Sequence, residues 1–450
     1  MMRFRIIIFV LAVLISGTLT AQYFNKTYNI KKGGEGLKIL PLKGQYIISV
    51  ASGDGLGNES ASYLVLDSSG NKTGIKEYKL GRAKARNSTF IHLRSGNLAD
   101  FRTFEFRDSN TTLINQPWLI MLNIHGDTLW TKKYTDTAIN IFRANTFIET
   151  PDSGFLLVNQ MELGFQSIGI KIIRTDKDGA ELWHKTIPAN KKDNLTDIVK
   201  HPNGNYYLSG GSGENPKFKA WLIGINDTGK VVFNKKYNTN GNTLASNVLV
   251  LRDSNLIIGL DTAFGSFGSD YSKKQALKIE PGNGDVIWNK QYDSITEFAG
   301  FTKIIEGKKK GLYALGGGTR KDSWPIYSLI HLTANGDTVW MHEYIHSYVS
   351  DLSQLWDFIR TEDGGFIFCG TTSPLHTYDI WVLKVDSNGC MTPECKSRVY
   401  DIRLGIDRTK AFDVRIKVFP IQSLTNCMLI LLNSKILPGA TSLLTKKDVY

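Results

Sequence analysis

The sequence has few cysteines, no long apolar run after residue 21 and none of several common catalytic motifs. Its 450 residues contain four cysteines, far too few for a disulfide scaffold. After residue 21, no apolar run approaches the ~20 residues that a membrane-spanning helix needs. No stretch has a convincing helical periodicity, and no G-x-S-x-G, P-loop or Cys-x-x-Cys motif occurs. A disulfide scaffold, later membrane spans and the enzyme classes that these motifs mark are therefore excluded.

The first 21 residues carry an export pattern. Two arginines precede an apolar run from Ile6 to Ile15, and small residues precede Gln22. This is the pattern of a cleaved secretory signal, and the apolar run is too short to cross a bilayer. We therefore predict a signal peptide at 1–21 and an exported chain, with an uncleaved anchor as the alternative. No cysteine lies near the predicted cut, so no lipid anchor is expected there.

The positive charge is spread along the chain. It is +12, or +10 once Arg3 and Arg5 leave with the signal peptide. The lysines recur at one position of a repeat and form no block, which argues against a nucleic-acid-binding arm. We predict no nucleic-acid partner. An anionic partner is the alternative to solvated edge strands as the reason for these lysines.

A turn of the form Asp-x-x-Gly, followed by an aromatic-x-Lys-x-Tyr strand, recurs along the chain. Its glycines lie 50 to 56 residues apart. They are Gly70, Gly126, Gly179, Gly229, Gly284, Gly336 and Gly389. A second β-rich element, such as "GNYYLSGG" (204–211), precedes each glycine by about 25 residues. Each repeat therefore predicts four antiparallel strands joined by turns.

Seven such repeats predict an all-β fold, a seven-bladed β-propeller over 22–389. The seventh repeat lacks its fourth strand, whereas "FNKTY" (24–28) matches "FNKKY" (233–237) almost residue for residue. The N-terminal strand is therefore predicted to close the last blade. The predicted blades are 31–79, 80–134, 135–187, 188–237, 238–292, 293–344, and 345–389 with 22–30. A linker (390–413) and a small β-rich C-terminal segment (414–450) follow.

The fourth strand of each blade has predictable edge and packing positions. Lysines are expected to guard its outer edge: Lys26, Lys132, Lys185, Lys235 and Lys290. The aromatic residues two positions earlier are expected to pack between blades: Phe24, Trp130, Trp183, Phe233, Trp288 and Trp340. The rings are thus predicted to be structural.

No catalytic residue, metal site or cofactor is predicted. "HEYIH" (342–346) matches a zinc-protease pattern, but that chemistry needs a helix and the repeat places the segment on a strand. "DKDG" (176–179) lacks further calcium ligands and is explained as a turn. Cys369 is expected to be buried. Cys390 and Cys395 are close enough to form a disulfide in an oxidising compartment, with two free thiols as the alternative.

Recognition is expected where the loops vary. The connections between second and third strands differ in length, and variable loops on a rigid scaffold usually carry binding. The ligand-binding candidates on this face are Phe264, Phe267, Asp270, Tyr271, Arg320, Trp324, His376 and Tyr378. Such aromatic and polar groups suit a sugar or a peptide. The alternative is that these rings pack only their own loops.

The hairpins "D-x-x-G-x-x-x-W-x-K-x-Y", with "GGF-I-x-G" before them, resemble exported β-propeller proteins of Bacteroidetes-type bacteria over 22–389. A weaker similarity to quinoprotein repeats lacks the eight blades and vicinal cysteines of those enzymes. The tail (414–450) resembles the start of a type IX secretion C-terminal sorting domain, but its turn reads "FPIQ" (419–422) and its last strands are missing. The tail is therefore either degenerate or truncated.

These resemblances imply a protein exported to the medium or the outer surface of a Gram-negative cell. The leading hypothesis is a monomeric binding or adhesion module without enzymatic activity, whose partners are the type IX machinery and a glycan or peptide. The alternative is a propeller enzyme that acts on polysaccharide or peptide in a central channel. A structural envelope protein is the third hypothesis.

Overall fold

The computed structural model describes the chain from residue 23 to 431 with gaps. The described ranges are 23–30, 33–53, 59–78, 84–107, 113–135, 142–164, 167–188, 193–213, 218–237, 241–264, 271–292, 296–320, 325–346, 353–373, 378–391, 399–401, 406–407, 416–418 and 429–431. All regular secondary structure in these ranges is β-strand. They contain no helix long and apolar enough to cross a membrane.

The strands form successive antiparallel units of four. Unit one comprises β2 (Gly34–Leu42), β3 (Gln45–Gly53), β4 (Glu59–Asp67) and β5 (Lys72–Tyr78). Unit two comprises β6 (Lys84–His92), β7 (Leu98–Arg107), β8 (Leu113–Leu122) and β9 (Thr128–Lys133). Unit three comprises β10 (Phe142–Glu149), β11 (Phe155–Gly164), β12 (Ser167–Thr175) and β13 (Glu181–Pro188). Unit four comprises β14 (Asn194–Lys200), β15 (Tyr206–Ser212), β16 (Lys219–Ile225) and β17 (Val231–Tyr237).

Units five and six share one sheet, joined through a bridge between Asp261 and Gly300. Unit five comprises β18 (Asn242–Val250), β19 (Leu256–Phe264), β20 (Tyr271–Ile279) and β21 (Val286–Tyr292). Unit six comprises β22 (Thr296–Glu306), β23 (Leu312–Arg320), β24 (Pro325–Leu332) and β25 (Thr338–Ile345). Unit seven comprises β26 (Ser353–Arg360), β27 (Phe366–Thr372), β28 (Asp379–Val385) and the N-terminal β1 (Phe24–Tyr28).

The predicted pairing of the N-terminal strand is confirmed. β1 runs antiparallel to β28, with Phe24 opposite Lys384 and Tyr28 opposite Ile380. The first strands of successive units contact one another, and β26 of unit seven contacts β2 of unit one. One hydrophobic cluster joins these two units, with Leu64 and Ile367 among its members. Unit seven is therefore tied to unit one.

Turn chemistry ends each third strand. In unit four, Asn226 Oδ1 accepts hydrogen bonds from the backbone N–H of Thr228 and of Lys230. Gly229 follows with φ of +73°, a left-handed conformation that costs glycine little. The fourth strand β17 then runs with mostly exposed side chains, whereas β15 is buried along its whole length. The second strand therefore lies in the core, and the fourth strand lies at the exposed edge of the unit.

The aromatic-x-Lys-x-Tyr motif forms a clasp between neighbouring units. Its ring covers the turn glycine of the next unit so closely that an added Cβ would lie no more than 3.1 Å from a ring atom. These pairs are Phe24–Gly70, Trp130–Gly179, Trp183–Gly229, Phe233–Gly284, Trp288–Gly336 and Trp340–Gly389. In five of these six pairs the motif ends in a tyrosine, which donates a hydrogen bond to the same glycine's carbonyl, as Tyr134 does to Gly179 (2.9 Å). The expectation that the rings pack between units is confirmed.

Three of the edge lysines also contact side chains of the next unit. Lys235 pairs with Asp285 at 3.2 Å and Lys290 pairs with Asp337, each aspartate following the next unit's turn glycine. Lys26 donates instead to Asn71 Oδ1 at 2.9 Å. Lys132 and Lys185 are exposed, as expected for guards of a free edge. The repeated lysines are thus explained in part by pairing within the protein.

The chain divides into two compact parts, Met1–Ile406 and Asp407–Tyr450. The first part contains all seven units and a short strand β29 (Val399–Asp401), which pairs parallel with β25 inside the predicted linker. β30 (Ile406–Asp407) lies at the boundary between the parts. In the second part, β31 (Ile416–Val418) pairs antiparallel with β32 (Leu429–Leu431).

Candidate functional site

The first strands carry a bulge at the same place in every unit. A bulge re-aims the side chains that follow it. The residues that follow this shared register shift, one in each unit, are Lys38, Thr89, Thr146, Asp197, Asn247, Lys303 and Asp357. We call this set the inner ring. Since the first strands contact one another in sequence, the inner ring gathers polar groups from separate units.

Asp357 of the inner ring is buried and held by two neighbouring units. Its Oδ1 accepts a hydrogen bond from Lys303 Nζ at 2.7 Å, and its Oδ2 accepts one from the Ile39 backbone N–H at 3.0 Å. Burial alone would raise the pKa of Asp357, but Lys303 and Lys38 outweigh burial and lower it. Asp357 is therefore a carboxylate that joins units six, seven and one.

Asp197 is the second carboxyl of the inner ring. Its Oδ1 accepts from the Ile198 N–H at 2.9 Å, and its Oδ2 accepts from the Val248 N–H of unit five at 3.0 Å. Burial raises the pKa of Asp197 more than these hydrogen bonds lower it. The charges of Lys38 and Lys303 lower the pKa of Asp197 as well as that of Asp357, so charged groups from four units influence one another.

The inner ring contains carboxylates and lysines, as an acid–base site does. Its hydrogen bonds, however, connect neighbouring units, as those of a structural site do. Environments that push two carboxyl pKa values apart can assign an acid and a base. Here every carboxylate oxygen already accepts a hydrogen bond from the protein. Thr196 Oγ1 donates to the Ala245 carbonyl of unit five at 2.6 Å, another tie between neighbours. The geometry of the ring therefore favours joining units over catalysis.

A second polar group lies at the root of the loop that joins β19 and β20. Lys274 is 1% exposed, and its Nζ has no hydrogen-bond partner. Burial lowers the pKa of Lys274 to about 8, and the charge of Glu343 opposes this shift. An ammonium group without an acceptor is costly to bury. Among the described residues, Lys274 is therefore an exception that needs an explanation.

The repeat shows how unusual Lys274 is. It lies opposite Tyr292, the terminal tyrosine of its unit. The residues opposite the corresponding terminal residue in the other units are all apolar or aromatic: Ala61, Pro117, Ile170, Ala220, Tyr327 and Ile380. One unit thus places a lysine where six place a residue suited to the core.

Asp261 accompanies Lys274. It lies between Leu260 and Thr262, which pair with Gln275 and Lys273, so it is the residue across from Lys274. Solvent reaches Asp261, yet burial of its carboxyl by surrounding atoms raises the pKa to about 6. No hydrogen bond or ion pair joins Asp261 to Lys274 in the described structure.

Glycines of unit six make room for both side chains. A Cβ added at Gly316 would lie 2.7 Å from Lys274 Cε, and one added at Gly300 would lie 2.7 Å from Asp261 Cβ. Contacts this short are not tolerated, so a larger residue at either position would displace the polar group. We call Asp261, Lys274 and Glu343 the loop-root site. The pKa values of Asp261 and Lys274, about 6 and about 8, lie near neutral pH, where proton transfer is useful.

The predicted ligand-binding residues belong to three connections, in units five, six and seven, and are only partly described. Phe264 ends β19 and Tyr271 begins β20, directly opposite each other, and Arg320 ends β23. The side chains of these three lie outside the described residues, as do Phe267, Asp270, Trp324 and His376. Tyr378 is 45% exposed and accepts a hydrogen bond from the Gly34 N–H through its carbonyl. The predicted face therefore stays a prediction.

The remaining sequence motifs have structural roles. His342 lies on strand β25, and His346 follows that strand with its ring against Trp381. No group of residues suited to a metal ion occurs in the described ranges. Cys369 is fully buried with a free thiol, as predicted. Cys390 is disulfide-bonded, whereas Cys395, its predicted partner, lies outside the described residues.

Comparisons with known proteins support the fold. No family model matches the chain, and no curated protein matches it. An ulvan lyase, a polysaccharide lyase solved with a GlcA–Rha saccharide, is similar with a TM-score of 0.55 and 9% identity over 85% of this chain and 100% of its own. A puromycin hydrolase has a TM-score of 0.52 and 10% identity over 90% of this chain and 60% of its own.

A protein of unknown function from Dyadobacter fermentans is similar with a TM-score of 0.49 and 9% identity, over 81% of this chain and 99% of its own. At these identities the likeness concerns the fold alone. The structural neighbours are β-propeller proteins. The chain has an all-β, propeller-like fold.

Proposed function

We propose that this protein is an exported β-propeller that acts as a binding or adhesion module for an acidic glycan. The loop-root site carries the proposal, because Lys274 is a buried cation without an acceptor and follows closely in sequence the four predicted binding residues of 264–271. A residue that departs from the packing pattern of the other repeats is expected at a functional site. An anionic group bound at this loop would supply the hydrogen-bond acceptor that Lys274 lacks.

The proposal includes a ring of seven blades closed by the N-terminal strand. Three contacts between units seven and one support it: the pairing of β1 with β28, the hydrogen bond from the Ile39 N–H to Asp357, and the shared hydrophobic cluster. Full closure removes the exposed edges that promote aggregation. A closed ring also fixes the loop roots, which binding loops require.

Export and delivery remain parts of the proposal that rest on sequence. The signal-like residues 1–21 and the sorting-domain-like tail 414–450 support transport to the medium or the outer surface, with the type IX machinery as a partner. Fractionation of cells that express the chain with and without residues 414–450 tests this step. Loss of surface protein on deletion supports a sorting tail, and unchanged surface protein contradicts it.

The binding test uses the full mature chain on an array of neutral glycans, acidic glycans and peptides. We expect acidic glycans to bind, and Lys274→Met and Phe267→Ala to weaken that binding at least tenfold. Lys132→Met is the matched control, because it removes one positive charge from an exposed strand. Peptide binding alone, or equal weakening by Lys132→Met, would contradict the proposal.

A second function, cleavage of an acidic polysaccharide, is favoured by one observation. The pKa values of Lys274 and Asp261, about 8 and about 6, suit an acid and a base near neutral pH, because Lys274 is then mostly protonated and Asp261 mostly ionised. The ulvan lyase similarity names the first polysaccharide to try. Appearance of new reducing ends that Lys274→Met abolishes would favour the enzyme, and glycan binding without cleavage would favour the binding module.

A further inference from the structure

Three units share an ion pair on the face that carries the short turns. In each, the third residue of the turn between the first and second strands is an aspartate, and the third strand supplies the base. The pairs are Asp152–Arg174 (2.5 Å), Asp253–Lys278 (2.6 Å) and Asp363–Lys384 (2.7 Å). Each base thus has a carboxylate built into its own unit.

Unit six replaces both partners. Its turn is closed by a hydrogen bond from the Gly307 N–H to the Gly311 carbonyl, and Lys310 has a left-handed φ of +62°, as Ser153 has in unit three. This match places Lys309 where units three, five and seven have the aspartate. The strand register places His331 opposite Tyr313, where unit three has Arg174 opposite Leu156. Unit six therefore has a lysine at the position of the aspartate and a histidine at the position of the arginine or lysine.

A cavity of about 310 Å³ lies at this point. Its lining consists of cations, a histidine, an aromatic ring and glycines, without a carboxylate: Gly307, Lys308, Lys309, Gly311, Tyr313, His331 and Arg360. This volume is at the lower end of the range for small-molecule sites. The cavity therefore combines a positive lining with room for a small ligand.

The walls of the cavity are held in place. The His331 ring stacks on Tyr313 with centroids 4.5 Å apart, and the Arg360 guanidinium lies 5.3 Å from the centre of the Tyr313 ring. Arg360 also donates to the Gly364 carbonyl at 2.8 Å. His331 Nδ1 is buried without a hydrogen-bond partner. A Cβ at Gly311 would lie 2.8 Å from His331 Nε2, so this glycine leaves space for the imidazole.

We propose that this cavity binds the carboxylate of a small acidic ligand, in the place that Asp152, Asp253 and Asp363 fill in other units. Lys309 and Arg360 supply the positive charge, and a guanidinium matches the planar carboxylate particularly well. Tyr313 and His331 form the aromatic wall against which the rest of the ligand lies. The cavity is on the turn side of unit six, whereas the loop-root site is at the loop between the second and third strands of unit five. The two sites are therefore independent.

Calorimetry on the full chain at low ionic strength tests the proposal with galacturonate, N-acetylglutamate and sulfate. We expect one of the two carboxylates to bind with one-to-one stoichiometry and more tightly than sulfate. The preferred carboxylate distinguishes a sugar acid from an amino-acid source. Absence of binding by both, or a preference for sulfate, would overturn the proposal.

The decisive variant is Lys309→Asp, which introduces the carboxylate that units three, five and seven have at this position. Lys309 is exposed, so folding should be unaffected. We expect at least a tenfold loss of carboxylate affinity. Lys43→Asp is the matched control, because it makes the same charge change at an exposed turn of unit one and should alter affinity by less than twofold. Equal losses in both variants would assign the binding to net charge and reject the site.

NMR of the His331 side chain provides a second readout. Burial and Arg360 lower the pKa of His331 in the unliganded protein. A carboxylate beside the ring favours the protonated form, so both ligand binding and Lys309→Asp should raise this pKa. An unchanged His331 titration in the presence of saturating carboxylate would place the ligand elsewhere and overturn the assignment.

Discussion

Replacing Gly229 with alanine should break the clasp between units three and four. Gly229 has φ of +73°, and an added Cβ would lie 2.6 Å from the Trp183 ring. The left-handed backbone costs a non-glycine residue about 1–2 kcal/mol. Forcing a methyl group into this contact adds about 1–3 kcal/mol. We therefore expect Gly229→Ala to lower the free energy of unfolding by about 2–5 kcal/mol.

Gly204→Ala separates the two contributions. Gly204 lies in the same unit with φ of +91°, and an added Cβ there meets nothing within 4 Å. It should lose only the backbone term, about 1–2 kcal/mol. The difference between the two variants then measures the contact with Trp183. A third variant, Gly229→Ala with Trp183→Leu, should destabilise by less than the sum of its single changes, because neighbouring residues are not additive.

Urea unfolding followed by tryptophan fluorescence and circular dichroism provides the measurement. Coincident transitions with both probes are needed before a single free energy is assigned. With a slope of about 3 kcal/mol/M, the expected difference between the variants is a midpoint shift of roughly 0.3–1 M. If Gly229→Ala and Gly204→Ala unfold at the same urea concentration, the ring does not clasp the turn and the explanation of the motif is refuted.

Three further outcomes are expected. Lys274→Met should raise the free energy of unfolding at pH 7 by about 1–3 kcal/mol, because the pKa of Lys274 is lower in the folded protein than in the unfolded chain. Chemical unfolding should show this gain decreasing between pH 8, where the folded protein loses the proton, and pH 10.5, where the unfolded chain loses it too. Tyr292→Phe removes the hydrogen bond to the Gly336 carbonyl (3.0 Å) and should cost about 1 kcal/mol, whereas Tyr378→Phe at an exposed position should cost nothing measurable. Asp357→Asn should lower the free energy of unfolding by about 1–3 kcal/mol at pH 7. The difference in unfolding free energy between this variant and the wild type should decrease below about pH 4, because the lowered pKa of Asp357 stabilises the fold only while the carboxyl of the unfolded chain is ionised.

The sequence was sufficient to predict the strands and the order in which they pair. Turn residues at regular spacing located the hairpins, and the match of "FNKTY" with "FNKKY" located the missing strand. It could not show where the lysine of each motif points, because the partner belongs to the next unit. Lys235 and Asp285 are fifty residues apart in sequence and 3.2 Å apart in space. Contacts between repeats depend on stacking geometry that a single repeat does not contain.

The loop-root site was missed for a specific reason. The turn that ends in Gly284 is one residue longer than its counterparts, since Gly284 donates to the Glu280 carbonyl whereas Gly229 donates to the Asn226 carbonyl. Counting back from the glycine therefore aligns Lys274 one position away from the core residues it replaces. Strand register corrects the alignment, and only then does the lysine stand out. The swap at Lys309 was visible in the turn sequence, but its partner His331 required the register too.

The two departures from the repeat call for different kinds of explanation. Lys274 lies within the layer where neighbouring units pack, so its buried charge lowers stability, and a function at the loop would explain why it is kept. Lys309 is exposed and costs the fold little, so its presence alone implies nothing. Its significance comes from the coincident change at His331 and from the cavity that these changes line. The role of the buried Lys274 is therefore tested first by measuring the stability of its variant. The role of Lys309 and His331 is tested first by measuring ligand binding.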